Sequence, residues 1–399
     1  MAEESTRRIA WRYWLQQIHL WVGLTLCIPL VIIGITGSIL VYGHDLEHLF
    51  GPPEPRATVT GEQRSADEII AAARASAPPG MVPGMIRMPD EHGAPAVVRL
   101  MRARSQTGTS PAGGQPQASP FAGSIQVLID PVSLQVLGNP VPAPSWLRFL
   151  HDLHGNLLVS GRDGRVAVGW LGVAMLVLGL SGIIIWWPRS GRWITAFTVK
   201  KGARGLRLHR DLHGAVGIWS LIVFMVVSFS GVYLAFPAQT GAVINAVFPA
   251  RDLRAAANAI RVEPIKDATP IGIDLAIALA REAVGASEVR MVFLPMRPDQ
   301  TMRITLTRPD HVEGAPTITV FINPWTGRIV DIHDPQKFSV GETIMAWQRP
   351  LHYGQGLGEI YKFAVFLSGI TIPIFAVTGC AMWLLKRRAR RTTALRKLA

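Results

Sequence analysis

The chain has 399 residues, of which 49% are hydrophobic and only 17% charged, with a formal net charge of +13. About 25% charged residues is usual for soluble domains, so this balance excludes an ordinary soluble globular protein. The position of the positive charge also excludes nucleic acid as the partner. Four uncharged stretches, 20–43, 166–188, 214–236 and 363–385, each supply the roughly 20 residues a helix needs to cross about 30 Å of hydrocarbon. The segments 1–18, 188–212 and 386–399 flank them on one side with 3, 7 and 7 Lys/Arg, 17 in all, against the acidic Glu3, Glu4 and Asp211. The rest of the chain is nearly neutral, with 23 basic and 24 acidic residues. Such asymmetry is the positive-inside bias of membrane proteins and predicts both termini in the cytoplasm.

In chain order, this predicts an α-helical membrane protein built as a four-transmembrane-helix bundle. A cytoplasmic N-terminus (1–18) leads into span 1 (19–43), a periplasmic domain (44–165), span 2 (166–188) and a basic cytoplasmic loop (189–212). Span 3 (213–236), a second periplasmic domain (237–355), span 4 (356–385) and a basic cytoplasmic tail (386–399) follow. The first span is read as an uncleaved anchor in an inner membrane, because it is long for a signal sequence, contains Pro29 and runs into Gly43-His44-Asp45-Leu46-Glu47. Cys27 and Cys380 both fall inside spans and read as packing residues, with no disulfide framework.

Each periplasmic segment reads as a helix followed by strands. The first offers a helix over Ala66–Ala77 and strands over Ala96–Arg102 and Ser124–Leu137. The second offers a helix over Ile271–Val284 and strands over Val289–Leu294, Met302–Thr307 and Thr317–Val330. Turn signals sit inside the last strand region of each: Ile129-Asp130-Pro131-Val132 and Ile322-Asn323-Pro324-Trp325-Thr326-Gly327. Residues 105–124, rich in Ser, Gly, Pro and Gln, read as a loop. Two similar α+β folds docked near one another are the expectation.

The spans repeat too. His19 is followed by Gly23 and by Thr36-Gly37, and His213 by Gly217 and by Ser230-Gly231, at the same offsets. Leu153-His154 leads to Ser181-Gly182 and Trp186-Trp187, as Leu351-His352 leads to Thr378-Gly379 and Trp383. The chain is therefore two copies of span, outer domain, span. Of the 11 histidines, His19, His209 and His213 flank the cytoplasmic span ends, His44, His48, His151, His154 and His352 flank the outer ones, and His92, His311 and His333 lie in the outer domains. Ionisable groups beside lipid are costly and mark function. Histidines in two layers fit bis-imidazole haem, with small residues letting a flat macrocycle approach the backbone. Zinc draws its ligands into one cluster, and no Cys-x-x-Cys-His exists for covalent attachment, so haem b is favoured.

The stretches Ile18-His19-Leu20-Trp21-Val22-Gly23, Asp211-Leu212-His213-Gly214-Ala215-Val216-Gly217-Ile218-Trp219, Gly182-Ile183-Ile184-Ile185-Trp186-Trp187-Pro188-Arg189 and Pro350-Leu351-His352-Tyr353-Gly354 resemble the PepSY-associated transmembrane helix family, across roughly 10–388. So do the Asp-Pro…Gly hairpins. The resemblance implies PepSY-like outer domains. It also implies a relation to di-haem siderophore reductases, iron-regulated proteins that pass electrons to ferric siderophores in the periplasm. Carried over, the family's helix-start histidines fall on His19, His154, His213 and His352. His151 and His154 both fit: the spacing Trp146–His151 repeats Trp347–His352, whereas the distance to Ser181-Gly182 favours His154. His44 is a further outer candidate.

The resulting expectation is an inner-membrane di-haem electron-transfer protein, with one haem held by His19 and His213 and the other by His154 (or His151) and His352. It would act as a ferric-siderophore reductase in iron uptake. No Gly-x-Gly-x-x-Gly follows a predicted strand, so the electron donor is a quinol or a separate cytoplasmic reductase. The acceptor is a ferric siderophore or another periplasmic oxidant. Two other classes remain: a non-enzymatic PepSY-type regulator or binding protein, and a transporter. A transporter calls for mid-membrane ionisable groups, which the spans lack.

Overall fold

The computed structural model describes residues 2–398 apart from 52, 54, 90, 92, 103–122, 143, 189–190 and 192; of these, residues 2–10 and 397–398 are described by their backbone alone. His92 and most of the 105–124 loop therefore lie outside the described residues.

The first half runs α1 (Ala2–Thr25), α2 (Cys27–Val41), α3 (Gly43–Phe50), α4 (Ala66–Ala75), β1 (Met81–Arg87), β2 (Ala96–Arg102), β3 (Ile125–Ile129), β4 (Val136–Gly138), α5 (Ser145–Asn156) and α6 (Arg162–Trp186). After the short α7 (Trp193–Ala196), the second half repeats that order. It runs α8 (Gly205–Ala235), α9 (Pro237–Val247), α10 (Leu253–Ala259), α11 (Ile273–Val284), β5 (Glu288–Phe293), β6 (Met302–Thr307), β7 (Ile318–Ile322), β8 (Ile329–His333), α12 (Val340–Tyr353) and α13 (Glu359–Leu398). Among the described residues α1 and α2 together match α8, and α10 and a 3-10 turn over Pro335–Lys337 lack counterparts.

Among the described residues three helices, α6, α8 and α13, are long and apolar enough to cross a membrane, and α1 with α2 makes a fourth crossing if that pair, bent by 67°, is one broken span. Span 1 reads in the sequence as one helix over 19–43, whereas the structure divides that region between α1 and α2. Pro29 has no N–H to offer the Thr25 carbonyl, and its ring crowds that carbonyl. The break falls there: α1 ends at Thr25 and Leu26 leaves helical geometry, with φ −99° and ψ 5°. The residue matching Pro29 in the repeat is Val223, and α8 continues through it without a break.

The two expected α+β domains are in fact one. A single antiparallel sheet of eight strands runs β4-β3-β2-β1-β5-β6-β7-β8, so the halves join along β1 and β5 through Met85–Phe293, Ile86–Val292 and Arg87–Met291. One hydrophobic core, including Ile69, Ile86, Val98, Val292, Ile304 and Val320, continues across the seam beneath α4 and α11. The helix N-termini are capped reciprocally. Asp274 accepts from the N–H groups of Ala66 and Asp67 (2.9 and 3.2 Å), and Asp67 accepts from those of Ile273 and Asp274 (2.9 and 3.0 Å). A carboxylate there satisfies orphan donors and faces the positive end of the helix dipole, so neither helix is capped this way without the other half. The strand β1 escaped the sequence reading because Pro83 and Gly84 disguise it; they sit at the irregularity in its pairing with β2.

The helical bundle packs closely through small residues. A Cβ at Gly34 would lie 2.8 Å from the Gly369 carbonyl oxygen of α13, and the Ser38 hydroxyl donates to the Phe366 carbonyl at 2.7 Å. Such contacts replace hydrophobic drive between helices in lipid. Midway along the bundle, Leu30, Ile33, Leu171, Met175, Phe224 and Ile372 form its buried apolar cluster. Cys27 and Cys380 are free and half-buried.

Candidate functional site

Four of the predicted histidines meet in two pairs. At the end of the bundle away from the sheet, His19 of α1 and His213 of α8 have ring centres 6.3 Å apart with planes crossed at 72°. Nearer the sheet, His154 of α5 and His352 of α12 stand 6.1 Å apart at 43°. Each pair takes one ring from each half of the chain. Along α8, His213 and Ser230, which contacts His352, are separated by 17 residues, or about 25 Å of helix. The apolar cluster fills the bundle between the two layers.

The same neighbour holds every ring. The Nδ1 of His19 lies 2.8 Å from the Ser181 hydroxyl, and that of His213 lies 2.8 Å from the Thr378 hydroxyl. The Nδ1 of His154 lies 3.1 Å from the Thr36 hydroxyl and 3.1 Å from the Ile33 carbonyl. For His352, the Ser230 hydroxyl and the Val227 carbonyl are both at 3.1 Å. These hydroxyls already donate backwards along their own helices, Ser181 to Val177 and Thr378 to Ile374 at 2.6 Å, Thr36 to Ile32 at 2.7 Å and Ser230 to Val227 at 3.0 Å. A hydroxyl has one proton to give and a carbonyl none. Each Nδ1 must therefore be the donor, and each neutral ring is left with a bare Nε2 lone pair. That is the tautomer a metal ligand needs, fixed by an outer-shell hydrogen bond.

Each of those hydroxyl residues precedes a glycine. A Cβ at Gly37 would come within 2.8 Å of His154 Cε1, and one at Gly231 within 3.1 Å of His352 Cε1. At Gly182 and Gly379 the corresponding distances to His19 and His213 are 3.5 and 4.0 Å. Gly37 and Gly231 thus make room for the imidazoles, a role that the reading of them as a macrocycle's bed did not include, whereas a Cβ at Gly182 or Gly379 would be in ordinary contact. The four Ser/Thr residues went unassigned in the sequence reading, although the Ser/Thr-Gly dipeptide recurring once per span was the signal for them.

The remaining predicted residues stand elsewhere. His151 faces outward, its side chain 67% exposed and 4.0 Å from Asp152, so it does not join His352. It precedes His154 by three residues, about 300° of helix, and that offset leaves it on the exposed flank of the face that His154 occupies. His44 is exposed on α3 and meets His48 instead, with Nε2 atoms 3.2 Å apart. His333 is buried in the sheet domain against Phe321 and Asp331. The His311 imidazole is held below its usual pKa by burial and by the nearby Arg290. Among the described residues no three His, Cys, Asp or Glu side chains converge as a metal-binding group.

Spanning helices, an appended antiparallel sheet and two layers of paired histidines define a polytopic helical membrane protein. The chain belongs to the family described as the PepSY-associated TM region, whose model matches residues 16–386. Over 86 residues it is 41% identical to an uncharacterized protein of Pseudomonas aeruginosa; the match spans 21% of this chain and 21% of that relative.

Proposed function

We propose that each histidine pair holds one haem b and that the protein carries electrons across the inner membrane to a ferric chelate, such as a ferric siderophore, on the sheet side. The observation that carries this reading is the pairing itself: four rings, each with its Nδ1 engaged and its Nε2 bare, facing one another two by two. Two imidazoles sharing one metal, with bonds of about 2 Å each added to the distance from nitrogen to ring centre, would have ring centres up to about 6 Å apart. The spacings of 6.3 and 6.1 Å fit that requirement. His19 and His213 would hold one group, and His154 and His352 the other. Bound there, haem would supply one-electron transfer.

The chain's own residues account for the rest. Ser181, Thr378, Thr36 and Ser230 hold the rings in one tautomer and one orientation. The mid-bundle cluster keeps water and ions from passing between the layers. The 17 basic residues on the segments away from the sheet support a cytoplasmic placement for those segments and a periplasmic one for the sheet. A quinol or a separate reductase would be the donor at the His19–His213 layer.

The test is a reduced-minus-oxidised absorption spectrum of the purified chain. Two haems of b type are expected, with His213→Ala removing one and His352→Ala the other. Transmembrane electron flow should stop in both variants, while His209→Ala keeps both haems. A colourless protein, or full haem content in both variants, would sink the reading. The sheet domain would then stand as a partner-binding module of the regulatory kind.

A further inference from the structure

His44 and His48 take no part in either pair, yet their geometry is that of a chelate. They lie four residues apart on one face of α3, where i and i+4 side chains are neighbours. Their rings are 4.4 Å apart at 80°, and both side chains are exposed. The two Nε2 atoms stand 3.2 Å from one another. With metal–nitrogen bonds of about 2.0–2.1 Å, that separation subtends an angle of about 100° at a shared ion, between the octahedral and tetrahedral values. Two imidazoles at i and i+4 are also how zinc-binding helices present their ligands.

We infer that His44 and His48 form a solvent-facing site for one divalent transition-metal ion of borderline softness, the class that includes iron(II), zinc and copper(II). Glu47 lines the same small hollow as His48 and adds negative charge beside the ion. Asp45 is occupied elsewhere, bonded to Lys362 at 2.9 Å. Catalytic zinc sites use three protein ligands, and no such group of three occurs among the described residues. Two imidazoles leave open positions on the ion, which admit water or the donor atoms of a chelator. Gly43 and Phe50 pack α3 against Leu147 and Trp146 of α5, the helix that carries His154, so the site lies on the sheet side of the bundle. The site stands on its own geometry and does not require the haem reading.

The test uses the full chain in detergent micelles, with any purification polyhistidine removed, titrated with Zn2+ by calorimetry. One Zn2+ per chain is expected, with affinity falling roughly tenfold or more in His44→Gln and in His48→Gln, since each leaves a single imidazole. Copper(II) paramagnetic resonance gives an independent reading: hyperfine splitting from two equivalent nitrogens in the parent, and from one in either variant. Haem absorbance should not change in the variants. Absence of Zn2+ binding in the parent, or equal affinity in parent and variants, overturns the site and leaves a hydrogen-bonded pair only. Loss of haem in His44→Gln also overturns it, by returning His44 to the haem ligands.

Discussion

The two halves of the chain descend through the same elements in the same order, and they differ at a few positions that can be named. Where the first half has Pro29, the second has Val223, so α1 and α2 meet at a 67° bend whereas α8 runs as one continuous helix. Where the first hairpin turns on Asp130-Pro131, its twin turns on Asn323-Pro324, and the two turns are otherwise built alike. The carbonyls of Pro131 and Pro324 accept from Arg64 and Ile271, both at 2.7 Å. The shared features are those that join the halves: the β1–β5 seam, the exchanged Asp67 and Asp274 caps, and one histidine from each half in each layer. Duplication here made one object rather than two, because the exchanged Asp caps, the continuous sheet core and both histidine pairs each draw residues from the two halves.

Three measurements would break or sharpen that comparison. The largest effect is expected from copying the first half's break into the second. Val223→Pro removes a helix hydrogen bond in the middle of α8 and should cost about 3 kcal/mol or more, seen as a lower thermal midpoint by intrinsic fluorescence in micelles. The reverse exchange, Pro29→Val, should leave that midpoint unchanged or higher. A Val223→Pro protein as stable as its parent would mean that α8 does not need its straight path.

Across the two layers the asymmetry is finer. His213 rests on the Thr378 hydroxyl, whereas His352 has both the Ser230 hydroxyl and the Val227 carbonyl within 3.1 Å. If haem is held as proposed, Thr378→Val should weaken its retention at that layer by about 10-fold or more, the usual scale for an outer-shell partner. Ser230→Ala should weaken its own layer less, because the carbonyl still receives the Nδ1 proton. Equal losses, read from haem released during dilution, would show that the carbonyls contribute nothing.

The smallest effect concerns acid and separates the hairpins. Burial alone would raise the Asp130 carboxyl, but hydrogen bonds from the Thr58 hydroxyl and from the N–H groups of Val132, Thr58 and Ser133 outweigh it and hold the group well below its ordinary value of 3.8. A carboxyl depressed in the folded state contributes stability above its unfolded value and loses it as pH falls through the folded one. Stability of the sheet domain should thus decline as pH drops below about 4, and Asp130→Asn should flatten that decline. Asn323 carries no charge to titrate, so Asn323→Ala should shift stability without changing the pH slope. The check is a proteolytic-resistance series across acidic pH, and an unchanged slope in Asp130→Asn would remove Asp130 from the account.

Much of the site was legible because membranes restrict what a sequence can do. A crossing must be apolar for about 20 residues, so His19, His213, His154 and His352 stood out at span ends, and the repeat aligned them. The choice between His151 and His154 rested on competing spacings, and only the rotation of α5 resolved it. His44 looked as close to the outer layer as His154 did, but chain proximity says nothing about the face of a helix. The short helices α3, α5, α9 and α12 carry or support the site and left weak signals, since a segment of 8–14 residues has few turns in which to show a period.

By itself the sequence determined the membrane class, the long apolar helices, the duplication and the histidines worth watching, because hydropathy and repeat spacing are local properties written along the chain. Tertiary structure alone decided three things. It turned two expected domains into one eight-stranded sheet, since an unpaired β1 edge in one half finds its match in β5 of the other. It bent the chain between α1 and α2 at Leu26, where the missing Pro29 hydrogen bond becomes a change of direction only within a packed bundle. And it set each imidazole against a Ser or Thr on another helix, fixing which nitrogen carries the proton. That last choice depends on distances between residues more than 100 positions apart, and so is invisible to any local reading.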